Sequence, residues 1–160
     1  MKLFLNLAVA ALVSTAAMAQ TVRVGTFHKP SIVTAYYRSQ MWADTLKSKL
    51  AEMQVARNTN DTKKAAELDG WGEAHQELAH RQLAGDAPIA NILEALSPGL
   101  AEIAQKARVV MVVGELPYAD ATVETVDVTD LLLDWLKADE RTRAIVRDLR
   151  SHVSPSPGVH

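Results

Sequence analysis

Two β-prone segments far apart in the chain, Thr21–Phe27 and Val109–Val113, frame a long stretch whose apolar residues recur at helical spacing. A sheet that pairs these segments carries everything between them as a helical excursion between its first and second strands. In TVRVGTF, Val22 and Val24 alternate with Thr21, Arg23 and Gly25, the period of a half-buried strand. Val109–Val113 is apolar throughout and predicts a strand buried on both faces at the centre of the sheet. Thr122–Val126 alternates again and predicts a third strand.

Between the first two strands, the spacing 4-3-4-3-4-3 selects Ile32, Tyr36, Ser39, Ala43, Leu46, Leu50 and Met53, which predicts one long helix from Ser31 to Arg57. That arm would reach about 40 Å at 1.5 Å per residue. Asn58-Thr59-Asn60-Asp61 predicts a turn that ends in an N-cap, so the chain returns from Thr62 as a helical hairpin. On the return arm Leu68, Trp71, His75, Leu78 and Gln82 hold the seam, while Gly70 and Gly72 predict a bend. Gly85-Asp86-Ala87-Pro88 breaks the helix. Ile89, Leu93, Leu96, Leu100, Ile103 and Ala107 then resume a fully apolar seam, in which Pro98 predicts a kink or a fresh start. After the third strand, Asp127 or Thr129 caps a helix bearing Leu131, Leu132, Leu133, Trp135 and Leu136, which restarts at Asp139 and runs to Arg150. The expected fold class is α+β: a small three-stranded sheet body, a projecting helical hairpin inserted between strands 1 and 2, and a C-terminal helix.

Composition narrows the function classes. The 160 residues include 17 Lys+Arg and 19 Asp+Glu, a formal charge of −2, so no basic field invites nucleic acid. No cysteine is present, which removes disulfides, thiolate metal sites and a thiol nucleophile together. Met1-Lys2, the apolar Leu3–Val13 and Ala17-Met18-Ala19 have the order of a secretory signal, with cleavage before Gln20 and no stable membrane anchor. The expected organisation is a signal peptide over residues 1–19, a domain over 20–150 with its helical arm at about 31–107, and a flexible tail over 151–160. The expected location is the periplasm.

No arrangement of residues demands an enzyme, and no cofactor or metal is expected. His75 and His80 are five residues apart, about 140° around a helix, and do not converge on a metal with Glu73 and Glu77. Glu115 and Asp120 share a loop with nothing to set their separation. Tyr36 and Tyr37 predict one ring in the seam and one in solvent. Met41, Trp42, Met53 and Trp71 are the candidate client-binding residues, because methionine and aromatic side chains adapt to varied apolar partners.

The helix ILEALSPGLAEIAQKA (Ile92–Ala107), the strand Val109–Val113, Pro117-Tyr118-Ala119-Asp120, and Thr125-Val126-Asp127-Val128-Thr129-Asp130 before Leu131-Leu132-Leu133 together resemble the OmpH/Skp family of periplasmic chaperones. The resemblance runs from about Ile89 to Lys137 and more loosely over Val22–Phe27. It implies a homotrimer whose small barrel-like body carries helical arms that enclose unfolded outer-membrane or periplasmic proteins, without ATP. Ser31–Ala84 departs from the basic arms of that family: seven basic residues (Arg38, Lys47, Lys49, Arg57, Lys63, Lys64, Arg81) face seven acidic ones (Asp44, Glu52, Asp61, Glu67, Asp69, Glu73, Glu77). That balance keeps open a non-enzymatic envelope adaptor or structural protein that binds one defined partner through shortened arms.

Overall fold

A computed structural model describes residues 21–152. The signal-peptide expectation over residues 1–19 and the tail from residue 153 lie outside them. The order is β1 (Val22–Thr26), α1 (Lys29–Tyr37), α2 (Gln40–Asn58), α3 (Thr62–Ala84), α4 (Ala90–Ala107), β2 (Met111–Val113), β3 (Val123–Asp127), α5 (Thr129–Trp135) and α6 (Glu140–Ser151). The fold is α+β, with a three-stranded sheet and a helical hairpin between its first two strands.

The sheet runs β2-β1-β3 with both pairings parallel, so β1, not the Val109–Val113 segment, is central. The register sets Val24 beside Met111 and Thr125, and Gly25 beside Val112 and Val126. Because side chains alternate across a strand, Phe27, Val112, Val126 and Val128 join the helix-covered core, whereas Val22, Val24, Met111, Val113 and Val123 belong to the opposite face. That face has no helical layer among the described residues, and Val110 and Met111 on the β2 edge are 71% and 51% exposed. The expectation that this run is buried on both faces fails for one chain, because all the crossover helices pack on the same side.

The core holds Ile32 and Val33 of α1, Ile92 and Leu96 of α4, Val128, and Leu132 and Leu133 of α5, each nearly or fully inaccessible. Thus α1 and α4 build the body, and the standing arm is α2 and α3 alone, shorter than the 31–107 span read from periodicity. The nineteen residues of α2 extend about 28 Å.

Three local features differ from the sequence pattern for visible reasons. Ser39 divides the expected long helix: its Oγ donates to the Tyr36 carbonyl at 2.7 Å and accepts from Trp42 N at 3.3 Å, closing α1 and capping α2. Across Gly70 and Gly72, α3 stays one continuous helix; Asp61 caps its start through Lys64 N, and Gly85 ends it in the left-handed conformation, φ 86°. Pro98 lies inside an unbroken α4, and Ser97 Oγ supplies the Glu94 carbonyl with a donor at 2.7 Å where proline has none.

Candidate functional site

The break at Ser39 turns the chain so that the first turn of α2 lies beside the last turn of α1 and the middle of α3. Five of the resulting neighbours are aromatic, the buried Tyr36 lying 5.2 Å from Tyr37 and 5.9 Å from Trp42 between ring centres. Tyr37 and Trp42 meet edge to face with centroids 5.0 Å apart, and Trp42 lies nearly parallel to Trp71 at 6.0 Å. His75, one turn beyond Trp71, closes the group at 4.1 Å from Trp71 and 5.8 Å from Trp42. Its Nδ1 donates to the Trp71 carbonyl at 2.8 Å, so Nδ1 carries a proton. Tyr37, Trp42, Trp71 and His75, with Leu46 and Gly72, line an open cleft of about 310 Å³.

The cleft is anchored at one end by a buried amide. Tyr37 Oη donates to Gln82 Oε1 at 2.9 Å, and Gln82 Nε2 donates to the Pro88 carbonyl at 2.8 Å and to Asn91 Oδ1 at 2.6 Å. Gln82, 2% exposed, is a satisfied tie between the arm and α4. Burial pushes the Tyr36 and Tyr37 hydroxyls up from their ordinary value, and both rings pack instead of one facing solvent. At the other end Lys49 Nζ stands 6.0 Å from the Trp71 ring centre while held by Glu52 at 2.9 Å. The cleft can therefore offer flat apolar surface and one shared cation.

The four residues chosen from the sequence separate here. Trp42 and Trp71 are brought together, half-buried. Met41, the neighbour of Trp42, lines a different cleft against α4 and α5. Met53 is buried between the arm helices with Ala56 and Leu68, as packing and not as binding surface. The sequence reading missed Tyr37 and His75 as members of the cluster, although the seam spacing Trp71–His75 already placed those two rings on one face. Leu50, one turn beyond the cleft residue Leu46, is 61% exposed, and Val55, 62% exposed, lies on the other side of α2.

The other chemistry-bearing groups are engaged separately. Glu115 pairs with Lys29 at 2.7 Å, whereas Asp120 Oδ1 accepts Thr122 N at 2.9 Å, which holds its carboxyl below the ordinary range. Among the described residues, no three His, Asp or Glu side chains gather as metal ligands, and no helix is long and apolar enough to cross a membrane. No family model, curated protein or solved structure matches the chain.

Proposed function

We propose that the chain is a non-enzymatic, ATP-independent holdase of the OmpH/Skp type, acting in the periplasm on unfolded outer-membrane or periplasmic proteins. The observation that carries this reading is the arm: a two-helix hairpin, inserted between sheet strands, whose sides display half-buried Trp42 and Trp71 and exposed Leu46, Leu50 and Val55. Such a surface suits many weak, interchangeable apolar contacts, since aromatic and aliphatic groups demand little of a partner's geometry. A homotrimer is part of the same reading. The sheet supports it: among the described residues no helix lies over the face that carries Val22 and Met111, parallel sheets are ordinarily covered on both sides, and a second copy of the chain is the cover proposed here.

The test is suppression of aggregation when a urea-denatured outer-membrane β-barrel protein is diluted into buffer containing the chain at one trimer per client. Light scattering should stay low without nucleotide. Unchanged aggregation at tenfold excess would remove the holdase reading. The balanced charge of Ser31–Ala84 favours a second reading, an adaptor for one folded envelope partner. Affinity capture separates the two: many unfolded clients for a holdase, one stoichiometric folded protein for an adaptor.

A further inference from the structure

The arm joins the body at two breaks in the helical backbone. On the outgoing side Ser39, at φ −78° and ψ 159°, separates α1 from α2; on the return side Gly85, at φ 86°, ends α3 before α4 begins. A residue outside the helical region at each crossing makes a pair of hinge points, since hinges are element-terminal positions that absorb a change in φ and ψ. An open cleft of about 650 Å³ lies at the return hinge, lined by Leu83 and Gly85 from the arm side and by Phe27, Pro30 and Gly114 from the body, so the root of α3 has room to tilt.

Gln82 bridges the two hinges. It stands three residues before Gly85, and its partner Tyr37 stands two residues before Ser39. Its amide accepts from Tyr37 Oη and donates to the Pro88 carbonyl and to Asn91 Oδ1, so one buried side chain ties the last turn of the arm to the end of α1 and to the start of α4. These bonds exist only within a narrow range of distance and angle, and a buried amide stripped of them carries a full desolvation cost. The tie therefore holds in the observed geometry and is lost in a tilted one.

The aromatic cleft lies across the same joint. Tyr37 comes from the body, whereas Trp42, Trp71 and His75 come from the arm. The arm's angle sets the separation of Tyr37 from Trp42, here 5.0 Å between ring centres, without altering Trp71 against His75 at 4.1 Å.

We infer that Gln82 is a latch: bound to Tyr37, Pro88 and Asn91 it holds the arm at one angle, and its release lets the arm tilt and draws Tyr37 away from Trp42. Gln82 is a positioning residue that acts on the cleft through Tyr37. That this regulates client capture rests on the proposed function; the latch itself is read without a client, so a chain that fails to suppress aggregation can still latch.

The cysteine-free sequence lets spin labels be placed on Asn58→Cys at the arm tip and Ala144→Cys on α6, both exposed. Labelled chain refolded with a large excess of unlabelled chain gives, by double electron–electron resonance, the distance within one subunit. A tilt of about 10° over the nineteen residues of α2, rising 1.5 Å each, moves the tip by about 5 Å. The parent should give one narrow distance. Gln82→Met, close in volume but without the hydrogen bonds, should shift or broaden it by about that 5 Å with helical circular dichroism unchanged, and Tyr37→Phe, which deletes one hydroxyl, should do so to a smaller degree. In NMR spectra of Gln82→Met the Tyr37–Trp42 ring contact should fade while the Trp71–His75 contact persists, a split that general loosening does not give. Leu132→Ala, which weakens the core away from the latch, should keep the parent distance. An unchanged distance in both latch variants, an equally broad parent, the same change in Leu132→Ala, or loss of both ring contacts together would each overturn the proposal.

Discussion

The imidazole of His75 lies 4.1 Å from the indole of Trp71, centroid to centroid, and its Nδ1–H is bound to the Trp71 carbonyl. The hydrogen bond fixes the imidazole, which in turn packs against the Trp71 indole as one wall of the cleft. Replacing Trp71 with Leu keeps apolar volume but removes the stack on Trp42 and His75, a loss of about 1 kcal/mol for aromatic pairs of this kind. The expected outcome is a small drop in the urea midpoint and a larger fractional drop in suppression of client aggregation. Trp135→Leu serves as the control outside the cleft; equal loss of suppression in both variants would deny the cleft a special role.

Gly99 and Trp135 define a tight packing contact in the body. Gly99→Ala puts a methyl group inside the indole ring, so the ring or α5 must move, at about 1–3 kcal/mol for overpacking in a buried site. Adding Trp135→Leu should recover much of that loss. The coupling between the two substitutions, read from urea unfolding of both singles and the double, is expected to be about 1 kcal/mol or more; additive effects would show that the contact is not the cause.

Helix ends offer a paired test of opposite sign. Gly85 closes α3 at φ 86° with Asp86 N bonded to the Arg81 carbonyl, and Arg108 closes α4 at φ 55° with Val109 N bonded to the Ala104 carbonyl. Gly85→Ala should destabilise by about 1 kcal/mol, the cost of a Cβ in the left-handed region. Arg108→Gly removes that cost but adds flexibility to the unfolded chain, leaving a gain of about 0.5 kcal/mol. Chemical denaturation of the two variants reads both.

His28 governs the response to mild acid. Burial first, and the Arg150 charge second, push its pKa below the ordinary 6.5, against a smaller opposing influence from Asp127. The unfolded chain therefore takes up a proton at His28 before the folded one does. Above pH 6.5 both states are neutral there and nothing is lost; as pH falls from 6.5 toward the lower folded value, stability declines. The downward-shifted carboxyls of Asp120 and Asp139, whose ordinary value is 3.8, are lost only in stronger acid. His28→Asn should flatten the decline of the urea midpoint just below pH 6.5 and leave the strongly acidic limb unchanged.

Much of this architecture was legible in the residues, and the exceptions have identifiable causes. Alternation marked β1 and β3, Asp61 and Asp139 marked helix starts, and Gly85 marked a helix end, because each rule is local. Ser39 was hidden by position: it fell on the apolar seam, so periodicity counted it as a defect in one helix when its hydroxyl was capping a second. The sequence reading picked out Trp42 and Trp71, which the structure brings together, but not Tyr37 and His75, whose place beside them depends on how α1 and α3 meet. Met41 separated from Trp42 because adjacent helical residues point about 100° apart and so serve different clefts. The Val109–Val113 run misled about sheet order because apolarity on both faces records what must be covered, not whether the same chain covers it.

Val24 sharpens that last point. It is 4% exposed yet lies outside the helix-packed core, on a face that also carries Val22, Met111, Val113 and Val123. Burying this face in a homotrimer should make assembly sensitive to charge there and insensitive to charge elsewhere. Met111→Glu, at a side chain already 51% exposed in the single chain, should leave the helical circular-dichroism signal intact while shifting mass photometry from trimer toward monomer. Val55→Glu, at a side chain 62% exposed but on the arm, should keep the trimer. A trimer that persists in Met111→Glu would place the subunit contact on another surface, and a chain that is monomeric before any substitution would remove the homotrimer from the proposed function altogether.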